Sequence, residues 1–397
     1  YLEVQPTTHN LDLHKFEERI LSDSISKKDI NDLTMNLDTH SLSTLARTIR
    51  LRCKPGPITY SRKVFINLVN LCRDKCTYCT YKKEPTDTDL SMLSPEKVLK
   101  IAEDGRKHRC TEALIVTGES PEQRYPEARK WLKSLGFSST AEYIDKISNM
   151  ILNKTGLLPH TNAGILNKEE LSILKETNVS LGCMLESSSE RLLGKNMPHE
   201  FAPSKNPKAR KRILENAGDL KIPMTTGILI GIGETVEEII DSLFMMKEIN
   251  ERYGNIQEVI IQNFVPKFNT EMREISTPPL DYFIRIIAIS RIIMPDMNIQ
   301  VPPNLSPNNY GLYVDAGIND WGGISPLTID HVNPQSPWPD IKELMDVTKR
   351  SGYILRPRLP VYPEFILDKN EFIHDNLWKY IRAISGSDGL VREDYLN

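Results

Sequence analysis

MTTGILIGIG (Met224–Gly233) runs directly into ETVEEIIDSLFMMKEINERY (Glu234–Tyr253). The first stretch is nearly continuous in apolar and β-branched residues and ends in glycines, as a strand buried on both faces does. The second places Ile239, Ile240, Leu243, Phe244 and Met246 at helical spacing. That spacing is the pattern of an amphipathic helix. A doubly buried strand feeding such a helix is the repeating unit of a parallel sheet.

The unit recurs on both sides. KVFINLVNLC (63–72) precedes SPEKVLKIAEDGRKHR (94–109), where Ser94 reads as N-cap and Pro95 as the first helical residue. EALIVTGE (112–119) precedes TAEYIDKISNMILNKTG (140–156). LLPHTNAG (157–164) precedes NKEELSILKETN (167–178), and VSLGCMLES (179–187) precedes NPKARKRILENAGDLK (206–221). EVIIQNF (258–264) leads into PLDYFIRIIAISRIIMP (279–295). NIQVPPN (298–304) is a seventh strand and INDWGGIS (318–325) a weak eighth, with DIKELMDVTKRSGY (340–353) as its helix. Eight such pairs predict an α/β fold, a closed (β/α)8 TIM-type barrel. A doubly wound open sheet is the alternative, because the last two units are irregular. Residues 1–55 read as a helical extension carrying LDLHKFEERIL (11–21) and THSLSTLARTIRLRC (39–53). Residues 56–330 form the barrel. Residues 331–397 are a C-terminal extension packing on it, with the proline-rich RPRLPVYPEF (356–365) over the surface.

Bulk composition narrows the function. Fifty basic and 53 acidic residues leave a net charge of -3, which predicts no nucleic-acid partner and no anionic membrane surface. The longest apolar run, FIRIIAISRIIM (283–294), is broken by Arg285 and Arg291 and is too short to span a bilayer. YLEVQPTTHN at the start carries no charged-then-apolar leader. The expectation is a soluble cytoplasmic protein. Six cysteines in 397 residues are too few for a disulfide scaffold, and in a reducing compartment clustered cysteines bind metal or do redox chemistry.

Three of the six lie in LCRDKCTYCTYK (71–82), as Cys72, Cys76 and Cys79. A closed zinc site or an electron-transfer cubane takes four protein ligands. Three thiolates would leave a four-iron cluster with one open iron. Three free thiols in a turn and a structural zinc are the competing readings. The loop follows the first strand, and barrel active sites gather at strand C-termini. The other polar strand ends are Thr117-Gly118-Glu119, His160-Thr161-Asn162, Glu186, Gly231 to Glu234, Asn263, Asn304 and Asn319-Asp320-Trp321.

Cys72-x3-Cys76-x2-Cys79, with Tyr78 before the last cysteine, resembles the signature of the radical S-adenosylmethionine (SAM) enzymes. The resemblance implies one [4Fe–4S] cluster whose open iron is chelated by the amino and carboxylate groups of SAM, and a 5′-deoxyadenosyl radical as the reactive species. It further implies that Gly118 and Glu119 meet the methionine amino group and that Glu186 contacts the ribose or methionine portion. Arg210, or else Arg212, would pair with the methionine carboxylate. Ile230 and Gly231, in Gly227-Ile228-Leu229-Ile230-Gly231, would pack under the adenine. Longer stretches, among them YSRKVFINLVNLCRDKCTYCTYK, ALIVTGESPEQRYPEARKWL, QNFVPK and INDWGGISPLTIDHVNPQSPWP, are similar to the deazaflavin-forming synthases of that family, on the ring-closing side.

That likeness implies a radical SAM lyase. Its substrate would be the adduct of a hydroxybenzyl group with a ribityl-substituted uracil, made by a partner synthase subunit. A ferredoxin or flavodoxin would donate the electron. The tyrosine-using partner subunit and the futalosine cyclases are the nearest alternatives, and a non-catalytic iron–sulfur or zinc protein the distant one. Asn162, Asn263 and Trp321 are candidate substrate contacts, and Asn319, Asp320 and His331 candidate catalytic groups, His331 because imidazole exchanges protons near neutrality. Cys53, Cys110 and Cys183 read as buried, inert thiols.

Overall fold

The structure is a computed structural model and describes residues 13–396. YLEVQPTTHN and the first two residues of LDLHKFEERIL lie outside these. Helices α1 (Leu13–Leu21), α2 (Lys27–Asn36) and α3 (Thr39–Cys53) come first. The second was not foreseen. Its sequence KKDINDLTMN is mostly polar, but Ser26 and Asp29 form a reciprocal capping box and Ile30 and Leu33 are buried.

Eight parallel strands then close on themselves. They are β1 (Ile58–Val69), β2 (Glu112–Thr117), β3 (Leu158–Asn162), β4 (Ser180–Gly182), β5 (Met224–Ile230), β6 (Ile256–Asn263), β7 (Ile299–Gln300) and β8 (Asp320–Ile324), with β1 bonded to both β2 and β8. This is the barrel and not the open sheet. Outside it lie α4 (Pro95–Lys107), α5 (Pro121–Arg124), α6 (Pro126–Ser134), α7 (Thr140–Thr155), α8 (Lys168–Lys175), α9 (Pro207–Asp219), α10 (Val236–Tyr253), α11 (Leu280–Ile293), α12 (Tyr310–Asp315) and α13 (Ile341–Arg350). The eighth pair's helix, α13, thus belongs to the segment expected as an extension. Ser94 occupies the N-cap of α4 without a side-chain bond, so Pro95 alone marks that start. No described helix is long and apolar enough to cross a membrane.

Strand alternation sorts the side chains. On β1, Val64, Ile66 and Leu68 pack outward into the main core, whereas Lys63 and Phe65 face the barrel interior. On α10, the capping box of Thr235 and Glu238 starts the helix and Gly254 stops it at φ 67. Its buried Ile239, Ile240 and Leu243 each contribute about 2 kcal/mol of transfer free energy.

A ninth strand, β9 (Leu355–Arg358), pairs with Ile58–Ser61 of β1, below the point where β2 begins to pair at Lys63. RPRLPVYPEF is therefore no surface wrap. Arg358, Leu359, Val361 and Tyr362 are buried. Arg358 donates from Nε to Asp320 (2.6 Å) and from Nη2 to Glu258 (3.1 Å), and Tyr362 donates its hydroxyl to Glu258 (2.9 Å). The Pro360 carbonyl accepts from Ser180 Oγ (2.7 Å) and Gln257 Nε2 (3.1 Å). The segment crosses and fills the N-terminal end of the barrel, bonding to side chains from β4, β6 and β8.

Candidate active site

The opposite end holds a cavity of about 340 Å³. Cys72, Cys76 and Cys79 stand along its wall. They do not converge within reach of a single metal ion. Their loop is seated by backbone: Arg73 N donates to the Glu119 carbonyl, Lys75 N to that of Phe201 and Thr77 N to that of Pro198. Gly118 makes the seat possible, because a Cβ there would come within 2.0 Å of the Leu71 carbonyl oxygen. The glycine thus serves a close approach to the cysteine loop itself. Glu119 N donates to Cys72 Sγ at 3.2 Å. Burial, and then the neighbouring Cys79, push the Cys72 thiol up to about 12, and burial pushes Cys76 up as well. Buried thiols of this kind ionise when a cationic centre reaches them. Soft donors of matching number, with the unpartnered buried Asp74 Oδ2 and Thr117 Oγ1 beside them, fit an iron–sulfur cluster with a polar ligand next to it.

Two charge pairs flank the cysteines, one buried and one partly exposed. Glu119 meets Arg210 at 3.2 Å, with both side chains at most 5% exposed, and Glu119 also accepts from Ile165 N at 3.0 Å. Glu186 accepts from Lys205 Nζ at 2.5 Å. Glu186 sits in the left-handed region at φ 63 and bridges to Ile228 of β5, which aims its carboxylate inward. Burial pushes the Glu186 carboxyl upward, but Lys205, Arg210 and His199 together outweigh it and the net shift is down. Arg210 is the inward arginine, and Arg212 is exposed. Its guanidinium donates to the Ser204 carbonyl (2.7 Å), Cys183 Sγ (3.1 Å) and the Met184 carbonyl (3.3 Å) as well as to Glu119. Burial works against its charge, while Cys183, Glu119 and Glu186 raise its pKa overall. Cys183 is therefore a partner of the site and not a bystander.

Sequence reasoning missed four further groups. Lys205 opens the basic run KNPKARKR, of which Lys208 and Arg212 face solvent. His199 bonds the Tyr78 hydroxyl at 2.9 Å, and burial followed by Lys205 pushes its pKa down to about 3. Lys267 reaches the Tyr78 carbonyl at 3.4 Å. Lys63 lines the cavity from β1. Of these only Lys205 carried a local signal, its place just ahead of Asn206, the N-cap of α9.

The remaining expected residues divide. Tyr78, Asn162, Asn263 and Trp321 line the cavity with the cysteines. Asn263 is largely engaged already, donating to the Leu305 carbonyl (3.1 Å) and accepting from Ser306 Oγ (2.8 Å). Ile230 is fully buried and packs in the main core. Gly231 N donates to Glu234 at 2.6 Å. Neither forms part of the cavity wall. His331 stands behind Phe65 in an edge contact of 5.1 Å, with its pKa lowered by burial.

Asn319 and Asp320 are at the wrong end for catalysis. Asp320 begins β8 instead of ending it and is held by Arg358. Asn319 accepts from Arg291 Nη2 (2.8 Å) and Ile299 N (2.9 Å) and donates to Asn298 (2.8 Å). Both are base residues, fully committed to structural bonds.

Comparison with known proteins agrees with this geometry. Residues 66–246 match the Radical SAM superfamily. The chain is 44% identical over 335 residues to the 7,8-didemethyl-8-hydroxy-5-deazariboflavin synthase of Methanopyrus kandleri, covering 84% of this chain and 100% of that one. It is 46% identical to the synthase of that name from Methanocaldococcus jannaschii, covering 86% and 93%. To the FO synthase of Streptomyces coelicolor it is 45% identical over 86% of this chain, and it spans 40% of that longer protein. Among solved structures, methylornithine synthase (PylB) superposes with a TM-score of 0.67 at 16% identity, covering 86% of this chain and 97% of that one. The hydrogenase maturase HydG of Carboxydothermus hydrogenoformans gives 0.70 at 17% identity, covering 94% and 90%. These two show the shared barrel. The chain belongs to the FO synthase family of radical SAM enzymes, whose chemistry rests on a [4Fe–4S] cluster and SAM.

Proposed function

We propose that this chain is the ring-closing subunit of deazaflavin synthesis. It takes 5-amino-5-(4-hydroxybenzyl)-6-(D-ribitylimino)-5,6-dihydrouracil to 7,8-didemethyl-8-hydroxy-5-deazariboflavin, releasing ammonia, 5′-deoxyadenosine and methionine, as a lyase. The observation that carries this reading is that the chain spans the whole Methanopyrus synthase but only part of the longer FO synthase. A separate partner subunit then supplies the adduct, and a small electron-transfer protein such as ferredoxin or flavodoxin reduces the cluster.

Cys72, Cys76 and Cys79 would hold the cluster through three thiolates, which would leave one iron free for the SAM amino and carboxylate groups. When bound, cluster and SAM together supply a 5′-deoxyadenosyl radical for hydrogen abstraction. The protein binds and orients. The Glu119–Arg210 pair offers an acceptor for the SAM amino group and a cation for its carboxylate. Glu186, fixed by Lys205, accepts from ribose hydroxyls. Tyr78, anchored on His199, packs against Cys76 and Cys79 and shields that end from water. Ile230 and Gly231 stand behind the wall of the cavity and would support the adenine only through the backbone of β5. Asn162, Asn263 and Trp321 face the adduct, and His331 is a proton carrier reached past Phe65.

The test is reconstituted protein offered the preformed adduct and a reductant. Deoxyadenosine and fluorescent deazaflavin are expected. Consumption of tyrosine and diaminouracil that stops at the adduct would instead assign the partner's activity. Zinc without acid-labile sulfide would reject the radical reading altogether.

A further inference from the structure

The charge pairs at Glu119 and Glu186 lie on the β2, β4 and β5 side of the barrel. The β7, β8 and β1 side has a polar set of its own that the reading above leaves unused. Lys63 is 8% exposed and pairs in register with Glu112, the first residue of β2, so it lies deep in the barrel. Its side chain lies across Gly323 of β8, where a Cβ would stand 2.3 Å from Lys63 Cδ. The ammonium sits 4.6 Å from the Trp338 ring centre and 5.7 Å from that of Phe65. Among the described residues no carboxylate comes within ion-pair distance of it. Burial lowers its pKa, and Glu112, Asp330 and Glu258 offset this only from a distance.

One neighbour shares its condition. Asn304 is 5% exposed; its Nδ2 donates to Asp330 Oδ2 (2.9 Å) and the Ser336 carbonyl (3.3 Å), but its Oδ1 has no donor. Lys63 and Asn304 both line the cavity that holds the cysteines. A buried acceptor without a partner is uncommon in native folds, and here it lines the same cavity as an ammonium that has no ion-pair partner. The edge of a dioxopyrimidine carries the complement in adjacent atoms, a carbonyl oxygen for the ammonium and an imide N–H for Asn304 Oδ1.

We infer that Lys63 and Asn304 form a subsite for the dioxopyrimidine edge of a flat heterocycle, with Trp338 alongside. Resting on the proposed function, this places the uracil end of the adduct deep against β7, β8 and β1 and turns the hydroxybenzyl end toward the cysteines.

The probe is 8-ribityllumazine, a fluorescent ribityl dioxopyrimidine without a phenol, titrated into cluster-loaded protein before SAM is added. p-Cresol serves as the phenol control and the deazaflavin product as a third ligand. Lys63→Met and Asn304→Leu should each weaken lumazine binding at least tenfold and leave p-cresol binding within twofold. Lys63→Arg should recover part of the loss. SAM binding and circular dichroism report whether each variant is folded, and the two variants stand independently. Wild-type affinity in both variants would overturn the subsite. So would loss of p-cresol binding with lumazine retained, which would put the phenol there. A wild-type protein that binds lumazine but not the deazaflavin would defeat the functional reading alone. One that binds neither defeats the subsite as well.

Discussion

At the scale of single residues, the cysteine loop was legible because its chemistry is local: spacing alone puts three soft donors on one turn. Arg210 was legible only as one of two choices, since a helix start shows no side-chain direction until its strand neighbours are placed. Lys63 was hidden within an apolar run, where one lysine looks like a strand interruption. The inward fork of Arg210 gives a sharp expectation. Arg210→Lys keeps the charge but loses the planar multi-point geometry, and the concentration of SAM needed for half-maximal deoxyadenosine formation should rise about tenfold or more. Arg212→Ala, at an exposed position, should leave it unchanged. Equal effects in a SAM-dependence assay would reassign the inward arginine.

At the scale of elements, the first six strands and a helix after each followed from period and turn residues, because a doubly buried parallel strand writes its burial into its composition; the short α5, α6 and α12 did not. The eighth strand was found, but its polarity was misjudged. Asn319 and Asp320 look like the polar tip of a strand, and only the pairing of Thr59, near the start of β1, with Asp320 shows that they lie at its root. β9 was illegible for a related reason. LRPR owes its place to Asp320 and Glu258, distant carboxylates that no window of sequence contains. Arg358→Met should therefore be severe, leaving two buried acids without their cation at a cost of about 3–5 kcal/mol. Denaturant unfolding measures this, and Arg358→Met combined with Asp320→Asn should recover part of the loss. A single variant as stable as the parent would mean that β9 contributes little.

At the scale of the whole molecule, stability should weaken in mild acid. His160 of β3 is buried, with Nδ1 2.7 Å from Ser180 Oγ. Burial pushes its pKa down from 6.5 to about 4, with Glu112 opposing. The unfolded chain takes up a proton through that window while the folded one stays neutral, so stability present above the unfolded value drains away as pH falls toward the folded one. Urea midpoints should decline between about pH 7 and pH 5. His160→Gln should flatten that slope, and an unchanged slope would shift the cause to other groups.

The strand that crosses the base also governs traffic. With Arg358, Leu359 and Tyr362 filling the floor, the barrel is a vessel with one neck, and the neck is where the cysteines stand. If SAM sits at the cysteines as proposed, a ligand beside Lys63 would enter before it and leave after it: first in, last out. The order of addition is then set by architecture. Loading SAM first should slow the association of a dioxopyrimidine in a stopped-flow trace, whereas reversing the order should not slow SAM. Equal rates in both orders would mean that the floor opens.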